Sequence, residues 1–239
     1  MAEQEKQKNI VSMFDSIATT YDKANRILSF GIDIIWRKKA CNAAYDILNQ
    51  HKLEKIVDVA CGTGDMMHYW EKQAVDKRVK VANIIGIDPS EGMVDVGRKK
   101  YPHLEFEIAP ATQLPLEDAS VDIISISYGI RNVIERELAL AEFHRVLKPK
   151  GLVVILEFTK DNEENFVSKI RDFYLKKVLP QLGGFISKNR EAYQYLPDSI
   201  DDFATTQMLE DELKNIGFEI KASKAFSFNI STMIIAQKI

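Results

Sequence analysis

Short apolar runs alternate with amphipathic stretches along most of the chain. From residue 56 onward the apolar runs have the length and β-branched content of buried strands, and they lie near 56–60, 83–88, 104–109, 121–127 and 152–158. The stretches between them repeat apolar residues at helical spacing, which predicts helices near 65–75, 90–100 and 134–147. This alternation predicts an α/β fold in which a mostly parallel sheet carries helices on both faces.

Two further strands are expected at 218–222 and 231–237. Residues 223–229 form only a short connection, so these strands would finish the sheet in antiparallel fashion and bring its total to seven. The segment Lys148-Pro149-Lys150-Gly151 is expected to be a turn that leads into the fifth strand.

The first 50 residues form an N-terminal helical extension. Helices are predicted over 10–28 and 33–48, with Gly31 ending the first and Asp33 capping the second. Aromatic and polar side chains on the extension could form a lid over a substrate or could simply pack the extension on the sheet, and the pattern leaves both open.

Hydrophobic residues make up 46% of the 239 residues, and no Pro/Gly/Ser-rich linker divides them, which indicates one domain with additions. Its expected parts are a helical lid at 1–50, a ligand-binding core at 51–160, a helical insert that covers the substrate at 161–205, and a helix with strands at 206–239 that completes the core.

A glycine turn follows the first strand and has the features of a ligand-binding loop. Gly62 and Gly64 allow the backbone to approach a ligand, and the helix that starts after them presents free N–H groups. Met67 stands where the dinucleotide fingerprint has its third small residue, and Asp58 would repel a phosphate, so NAD is disfavoured. Asp58 is instead expected to favour a cation, here the sulfonium and amino groups of S-adenosylmethionine.

A second acidic strand end supports a nucleoside ligand. Asp88 ends the second strand, where a carboxylate can accept hydrogen bonds from both ribose hydroxyls. The alternative is that Asp88 only caps the helix that begins near Pro89-Ser90. The loops at 110–115 and 128–132 follow the third and fourth strands, and both should converge on the same ligand, the first near an adenine ring.

Composition excludes several classes of protein. The formal net charge is −3 and the pI is about 5.9, so nothing indicates a nucleic-acid partner. Cys41 and Cys61 lack metal-site spacing, no metal is expected, and the cysteine usage fits a reducing cytoplasm. Without a signal peptide or a long apolar run, the protein is expected to be soluble, or to rest on the inner face of a membrane without crossing it.

The segment 165–190 is aromatic and basic, with a net charge of +5. It could lie against an anionic membrane or cover a pocket for a greasy substrate. An ordinary amphipathic helix packed on the sheet edge explains the pattern equally well.

Several motifs together resemble one family. They are Met13-Phe14-Asp15-Ser16-Ile17-Ala18 with Tyr21-Asp22 and Asn25, Leu28-Ser29-Phe30-Gly31-Ile32 with Trp36-Arg37, Asp58-Val59-Ala60-Cys61-Gly62-Thr63-Gly64-Asp65, Ser127-Tyr128-Gly129-Ile130-Arg131-Asn132-Val133, Arg145-Val146-Leu147-Lys148-Pro149, Leu156-Glu157-Phe158 and 195–200. These motifs resemble the class I S-adenosylmethionine methyltransferases, which have a Rossmann-like fold, and within them the C-methyltransferases of menaquinone and ubiquinone biosynthesis. The resemblance covers nearly the whole chain.

The resemblance implies S-adenosylmethionine as the cofactor. The family's contacts carry over to Thr63, Asp88, Pro110, Ala111 and Ser127, beside the glycine turn already described. Pro110 departs from the family's usual asparagine or aspartate, so a side-chain hydrogen bond to adenine is lost there. Cys61, where the family has Gly or Ala, is a mild change.

The resemblance also implies a polyprenyl quinol as the substrate, most simply demethylmenaquinol, with a methoxy-polyprenyl benzoquinol as a second acceptor. Arg131 is the candidate catalytic residue, because its permanent charge could stabilise the phenolate form of the ring. Tyr21, Asn132 and Tyr193 are candidate orienting groups. A methyltransferase of a small soluble acceptor, an inactive or sensor protein that binds S-adenosylmethionine, and, last, an oxidoreductase remain alternatives, and the sequence leaves a homodimer open.

Overall fold

The computed structural model describes residues 2–160, 190–227 and 229–239. Within them the helices are α1 (Ala2–Leu28), α2 (Ile32–Leu48), α3 (Asp65–Lys77), α4 (Glu91–Lys100), α5 (Arg136–Val146), α6 (Arg190–Asp201) and α7 (Thr206–Ile216). The strands are β1 (Lys52–Val59), β2 (Lys80–Ile87), β3 (Glu105–Glu107), β4 (Val121–Ser127), β5 (Leu147–Glu157), β6 (Phe218–Phe226) and β7 (Ser231–Lys238). The aromatic and basic segment predicted at 165–190 lies outside the described residues except for its last position.

The seven strands form one sheet in the order β3-β2-β1-β4-β5-β7-β6. The first five are parallel to one another, and β7 is antiparallel to both of its neighbours. The prediction of a seven-stranded, mostly parallel sheet with an antiparallel finish is therefore confirmed. Strand order reverses between β1 and β4, and in sheets of this kind ligands bind beyond the carboxyl ends of the strands at that point.

Helices cover both faces of the sheet, as predicted. Neighbouring residues of β1 alternate between two cores: Val57 packs with α5 and α7 on one face, and Ile56 packs with α2 and α3 on the other. Side chains on both faces of the central strands are fully buried, which explains why these strands read as continuous apolar runs rather than as alternating ones.

Met67 of α3, just after the glycine turn, packs closely against β2. Met67 stands where a small residue would allow close contact between this helix and the sheet. The structure accommodates Met67 beside Gly86 of β2, where an added Cβ would lie 2.4 Å from the Met67 sulfur. Gly86 has no side chain and therefore leaves room for the large side chain of Met67.

Two local predictions were wrong. The predicted turn at 148–151 lies within β5, and a shift in the pairing of β4 with β5 between Val121 and Ile123 absorbs the irregularity. Asp33 does not cap α2, whose N-cap is Gly31 at φ 73°. Asp33 is instead buried and pairs with Arg26 and Arg37, because two adjacent cations compensate its charge better than a helix terminus would.

Helix α1 is longer than predicted and lies across the loops at the carboxyl edge of the sheet. It begins at Ala2 rather than at residue 10 and packs against α4. The Asp15 carboxylate accepts hydrogen bonds from Ser90 Oγ (2.6 Å) and the Gly92 N–H (2.9 Å). Near its start, the Gln7 side chain donates to the Asn132 carbonyl and accepts from the Ile134 N–H. These bonds hold α1 over the space beyond the strand ends.

Candidate active site

A cavity of about 530 Å³ opens at the carboxyl ends of β1, β2 and β4. The residues that follow these strands line its floor, and α1 lines its cover. Five predicted ligand-binding residues are brought together in its wall: Gly62, Asp88, Pro110, Ala111 and Ser127. These five residues thus share one cavity wall, and their contact with a ligand stays a prediction.

The two loops that form the floor are tightly shaped. Ala60 and Tyr128, directly after β1 and β4, both have left-handed backbone conformations, with φ 50° and φ 58°. Such conformations are unfavourable for residues with a side chain and persist where the surrounding structure fixes them, often at functional sites. Gly129 is required where the loops meet, because a Cβ there would lie 2.6 Å from the Ala60 Cβ.

Asp88 is buried in the cavity wall and is held by backbone donors. Its carboxylate accepts hydrogen bonds from the Gly62 N–H and the Ser90 N–H, each at 2.8 Å. Burial raises the pKa of Asp88 to about 6, against the opposing effect of these N–H groups. The helix cap itself is supplied by Ser90, whose Oγ accepts from the Met93 N–H. Asp88 is thus not itself the N-cap of α4, and it lines the cavity; its contact with a ribose stays a prediction.

Ser127 provides an independent sign of a ligand site. Its hydroxyl is buried and, among the described residues, has no hydrogen-bond partner, although it lines the cavity. Buried polar atoms are normally paired, so an orphaned hydroxyl at a cavity wall indicates a ligand that completes it.

Three other predicted residues lie outside the lining of this cavity. Asp58 is buried beneath it and accepts a hydrogen bond from Ser125 Oγ (2.6 Å), and burial raises its pKa to about 7. The Thr63 hydroxyl donates to Asp22 of α1 (2.5 Å). Gly64 is needed for packing, because a Cβ there would lie 2.7 Å from the Phe106 ring. Direct contacts of these residues with a ligand stay predictions.

A second cavity, of about 380 Å³, adjoins the first and is lined mainly by apolar and aromatic side chains. Phe14, Tyr21 and Tyr128 line both cavities and form the wall between them. Burial raises the pKa of the Tyr21 phenol, so its hydroxyl stays protonated near neutral pH.

Arg131 lines this apolar cavity, and several hydrogen bonds and an ion pair fix its guanidinium in place. Its guanidinium pairs with the buried Glu157 carboxylate, donates to the Tyr128 carbonyl (2.9 Å) and to Ser199 Oγ (3.3 Å), and lies 5.4 Å from the centre of the Phe158 ring. A guanidinium fixed in this way is preorganised to stabilise a negative charge that develops in the cavity.

Comparison with known proteins decides the family. The chain matches the ubiE/COQ5 methyltransferase family over residues 1–238. The chain belongs to this family. A ubiquinone/menaquinone biosynthesis C-methyltransferase UbiE of Campylobacter jejuni is 54% identical to it over 98% of this chain and 100% of that protein. A demethylmenaquinone methyltransferase of Thermotoga maritima is 36% identical over 98% and 97%.

Solved structures show the same fold at low sequence identity. A SAM-dependent methyltransferase of Thermotoga maritima, described as a possible histamine N-methyltransferase, superposes with a TM-score of 0.60 at 21% identity, covering 96% of this chain and all of that one. A SAM dependent methyltransferase of Aquifex aeolicus gives a TM-score of 0.54 at 18% identity, covering 82% and 89%. The Rossmann-like methyltransferase fold predicted from the sequence is thereby confirmed.

S-adenosylmethionine fits the first cavity of this methyltransferase. The buried Asp88 carboxylate is suited to ribose hydroxyls, and the unpaired Ser127 hydroxyl is suited to a polar group of the cofactor. Gly62 has no side chain and allows the ligand to approach the backbone closely. The apolar Pro110-Ala111 pair is suited to one face of the adenine ring. Among the described residues, no group of three or more His, Cys, Asp or Glu could hold a metal ion.

Sequence reasoning missed the partners that position these groups. In the sequence Glu157 stands out only as part of a motif, and no pattern singles out Gln7. Asp15 and Asp22 were recognised as motif residues, but their bonds to the loops after β1 and β2 were not foreseen. The Tyr195 hydroxyl donates to Asn132 Oδ1 (3.0 Å), and the side chain of Tyr193 lies outside the described part of the chain.

Cofactor binding should depend on pH through Asp88. An ionised carboxylate accepts hydrogen bonds from both ribose hydroxyls, whereas protonation makes one of its oxygens a donor, so affinity for S-adenosylmethionine should rise between about pH 5 and 7 as Asp88 loses its proton. Because the pKa of Asp88 is about 6 in the folded chain and about 4 in the unfolded chain, the free energy of unfolding of the ligand-free protein should fall as the pH rises from about 4 to 6. Isothermal titration calorimetry across the pH range measures the affinity, and urea unfolding measures the stability.

Asp88→Asn is the matched control for this pH dependence. It should bind more weakly at about pH 7 and show a flat profile. An unchanged pH dependence in Asp88→Asn would assign the titration to another group.

Proposed function

We propose that this protein transfers a methyl group from S-adenosylmethionine to a ring carbon of a polyprenyl quinol, most simply demethylmenaquinol. The observation that carries the proposal is Arg131, a fixed guanidinium at an apolar cavity that shares an aromatic wall with the cavity suited to the cofactor. The names of the Campylobacter jejuni and Thermotoga maritima relatives support a quinone as the acceptor.

Residues of the first cavity hold the cofactor in this proposal. Asp88 accepts hydrogen bonds from the ribose hydroxyls, and the Ser127 hydroxyl forms a hydrogen bond with a polar group of the cofactor. The wall at Pro110 and Ala111 faces the adenine. Gly62 leaves space for close approach of the ligand to the backbone. When bound there, S-adenosylmethionine supplies an electrophilic methyl group.

Residues of the second cavity activate the quinol ring. When a ring hydroxyl loses its proton to solvent water, the neighbouring ring carbon becomes nucleophilic, and Arg131 stabilises the phenolate that results. Once that carbon carries the methyl group, its own hydrogen would leave as a proton to water, and S-adenosylhomocysteine would be the second product. Arg131 does not serve as the base, because an arginine side chain keeps its proton in proteins. Glu157 and Ser199 fix the guanidinium, and the protonated Tyr21 hydroxyl, in the wall between the cavities, can donate a hydrogen bond to the ring oxygen.

The apolar lining of the second cavity suits a ring that carries a hydrocarbon tail. Its apolar lining includes Met13, Phe14, Ile17, Phe30 and Leu196. Burying such a tail is favourable by roughly 0.8 kcal/mol for each CH₂ group removed from water. A small polar acceptor would gain little from this lining, which favours a greasy substrate over the small-acceptor alternative.

Transfer of labelled methyl from S-adenosylmethionine tests the proposal. We expect label in chemically reduced demethylmenaquinone dispersed in detergent, and a higher kcat/KM for it than for the same naphthoquinol without its tail. A methoxy-polyprenyl benzoquinol in a parallel reaction shows whether the ring is selected. Cofactor binding without label in either tailed quinol would refute the quinol proposal, and better turnover of the tail-free compound would favour the small soluble acceptor.

A lipid-soluble substrate implies contact with a membrane surface. In the described part of the chain, every helix is too short or too polar to span a bilayer. We propose that the enzyme reaches its substrate from the cytoplasmic side, as a peripheral protein. Whether 165–190 takes part would be tested by protease protection on anionic liposomes, where unchanged cleavage counts against it.

A further inference from the structure

The turn between α1 and α2 exposes an apolar surface that the proposed function does not explain. Ile27, Phe30, Ile32 and Ile35 are 45%, 78%, 38% and 50% exposed. These four residues, called the hairpin tip below, include most of the large apolar side chains exposed in the first 50 residues. A cluster of this kind on one turn marks an interaction surface rather than ordinary surface variation.

Positive charge flanks the hairpin tip on both helices. Lys23 lies one helical turn before Ile27 on α1, and Lys39 lies one turn after Ile35 on α2. Both lysines are exposed, and within the described residues neither forms an ion pair. Asp33 is the acidic residue between them, and it is buried against Arg26 and Arg37. The tip is therefore basic, although the whole chain carries a net charge of −3.

The hairpin tip is continuous with the second cavity. Phe30 and Ile32 line that cavity and are also exposed at the surface. A molecule that leaves a lipid phase at the tip would therefore meet the cavity directly. Exposed apolar side chains flanked by lysines are typical of protein surfaces that lie in the headgroup region of an anionic bilayer.

We propose that the hairpin tip docks this protein on an anionic lipid bilayer, with its apolar side chains among the acyl chains and Lys23 and Lys39 at the lipid phosphates. A second copy of the chain is a poorer occupant, because a two-fold contact through the tip would bring the lysines of both copies together. The route from lipid to cavity rests on the proposed function, whereas docking itself does not.

Co-sedimentation of the full chain with vesicles tests the docking. We expect binding to phosphatidylcholine vesicles that contain about one-third phosphatidylglycerol, weakening with added salt, and little binding to phosphatidylcholine alone. The variant Ile27→Ser/Ile35→Ser should bind at least about tenfold more weakly. The variant Lys23→Gln/Lys39→Gln should lose roughly fivefold for each lysine and most of the salt dependence.

Val75→Ser is the matched control, since Val75 is 74% exposed on α3, away from the tip, and should bind as the wild type does. Equal binding by the wild type and the Ile27→Ser/Ile35→Ser variant, or no binding by the wild type, would overturn the proposal. A wild-type dimer that this variant converts to a monomer, with vesicle binding unchanged, would assign the tip to a second copy instead.

Activity on a detergent-dispersed quinol separates docking from the proposed function. Ile27 and Ile35 do not line either cavity. The Ile27→Ser/Ile35→Ser variant should therefore keep its activity in detergent and lose it only on quinol embedded in vesicles. A protein that binds vesicles but methylates no quinol would refute the function and leave the docking intact.

Discussion

Replacement of Arg131 by alanine is expected to lower kcat for quinol methylation by about 100- to 1,000-fold, the usual effect of removing a preorganised group that stabilises developing negative charge. Cofactor affinity should stay near that of the wild type, because Arg131 lines only the second cavity. Labelled methyl transfer measures the first effect, and calorimetric titration with S-adenosylmethionine measures the second.

The same substitution should also destabilise the protein. Arg131 compensates the fully buried carboxylate of Glu157, and removing one partner of a buried ion pair typically costs about 3–5 kcal/mol. The double variant Arg131→Ala/Glu157→Gln should recover much of this loss, because the glutamine oxygen can still accept from the Phe158 N–H (2.8 Å) without a charge. Urea unfolding measures the difference.

The double variant separates catalysis from folding. It should remain inactive while it regains stability. Recovery of activity together with stability would show that Arg131 acts only through the fold, and full activity in Arg131→Ala would remove it from the mechanism.

Alanine at Gly62 is expected mainly to weaken cofactor binding, and alanine at Gly64 mainly to lower stability. Both glycines have positive φ, 55° and 85°, so each substitution costs about 1 kcal/mol or more from backbone strain alone. At Gly64 the added Cβ also meets the Phe106 ring at 2.7 Å, and the total loss of stability should reach roughly 3 kcal/mol. At Gly62 it meets no atom within 4 Å, so the strain is the only loss.

Gly62→Ala should instead weaken cofactor binding by at least about tenfold, because Gly62 lines the first cavity and the added methyl group takes up ligand space. Thermal unfolding and calorimetric titration of both variants provide the comparison. A Gly62→Ala protein that binds S-adenosylmethionine normally would show that the cofactor does not approach this loop closely.

The sequence predicted most of the sheet and the first cavity because both depend on local pattern. Buried parallel strands leave apolar runs, and residues at their carboxyl ends meet at one edge whatever the details of packing. Asp88 could be placed on this ground alone, whereas Ser127 was predicted through the family resemblance. The turn predicted at 148–151 failed because a shift in strand pairing is set by the neighbouring strand, which local sequence does not record.

The positioning contacts could not be predicted, because they join residues far apart in the chain. Gln7 forms a hydrogen bond with Ile134, and Arg131 forms an ion pair with Glu157, because the fold packs together elements that no sequence motif connects. The pattern placed Asp58 correctly at a strand end. It could not predict that packing of the core buries the Asp58 carboxylate and pairs it with Ser125. The match between Met67 and Gly86 likewise exists only after the sheet has formed.

The position of β7 has a consequence for how the chain is made. β7 is the last strand in sequence, yet it lies between β5 and β6 and pairs with both. During synthesis from the N-terminus, one edge of β5 has no partner and β6 has no place in the sheet until residues 231–238 have left the ribosome. The nascent chain thus carries an open apolar edge from the emergence of β5 until β7 follows it, and a chaperone that shields such edges would act before, not after, release of the finished enzyme.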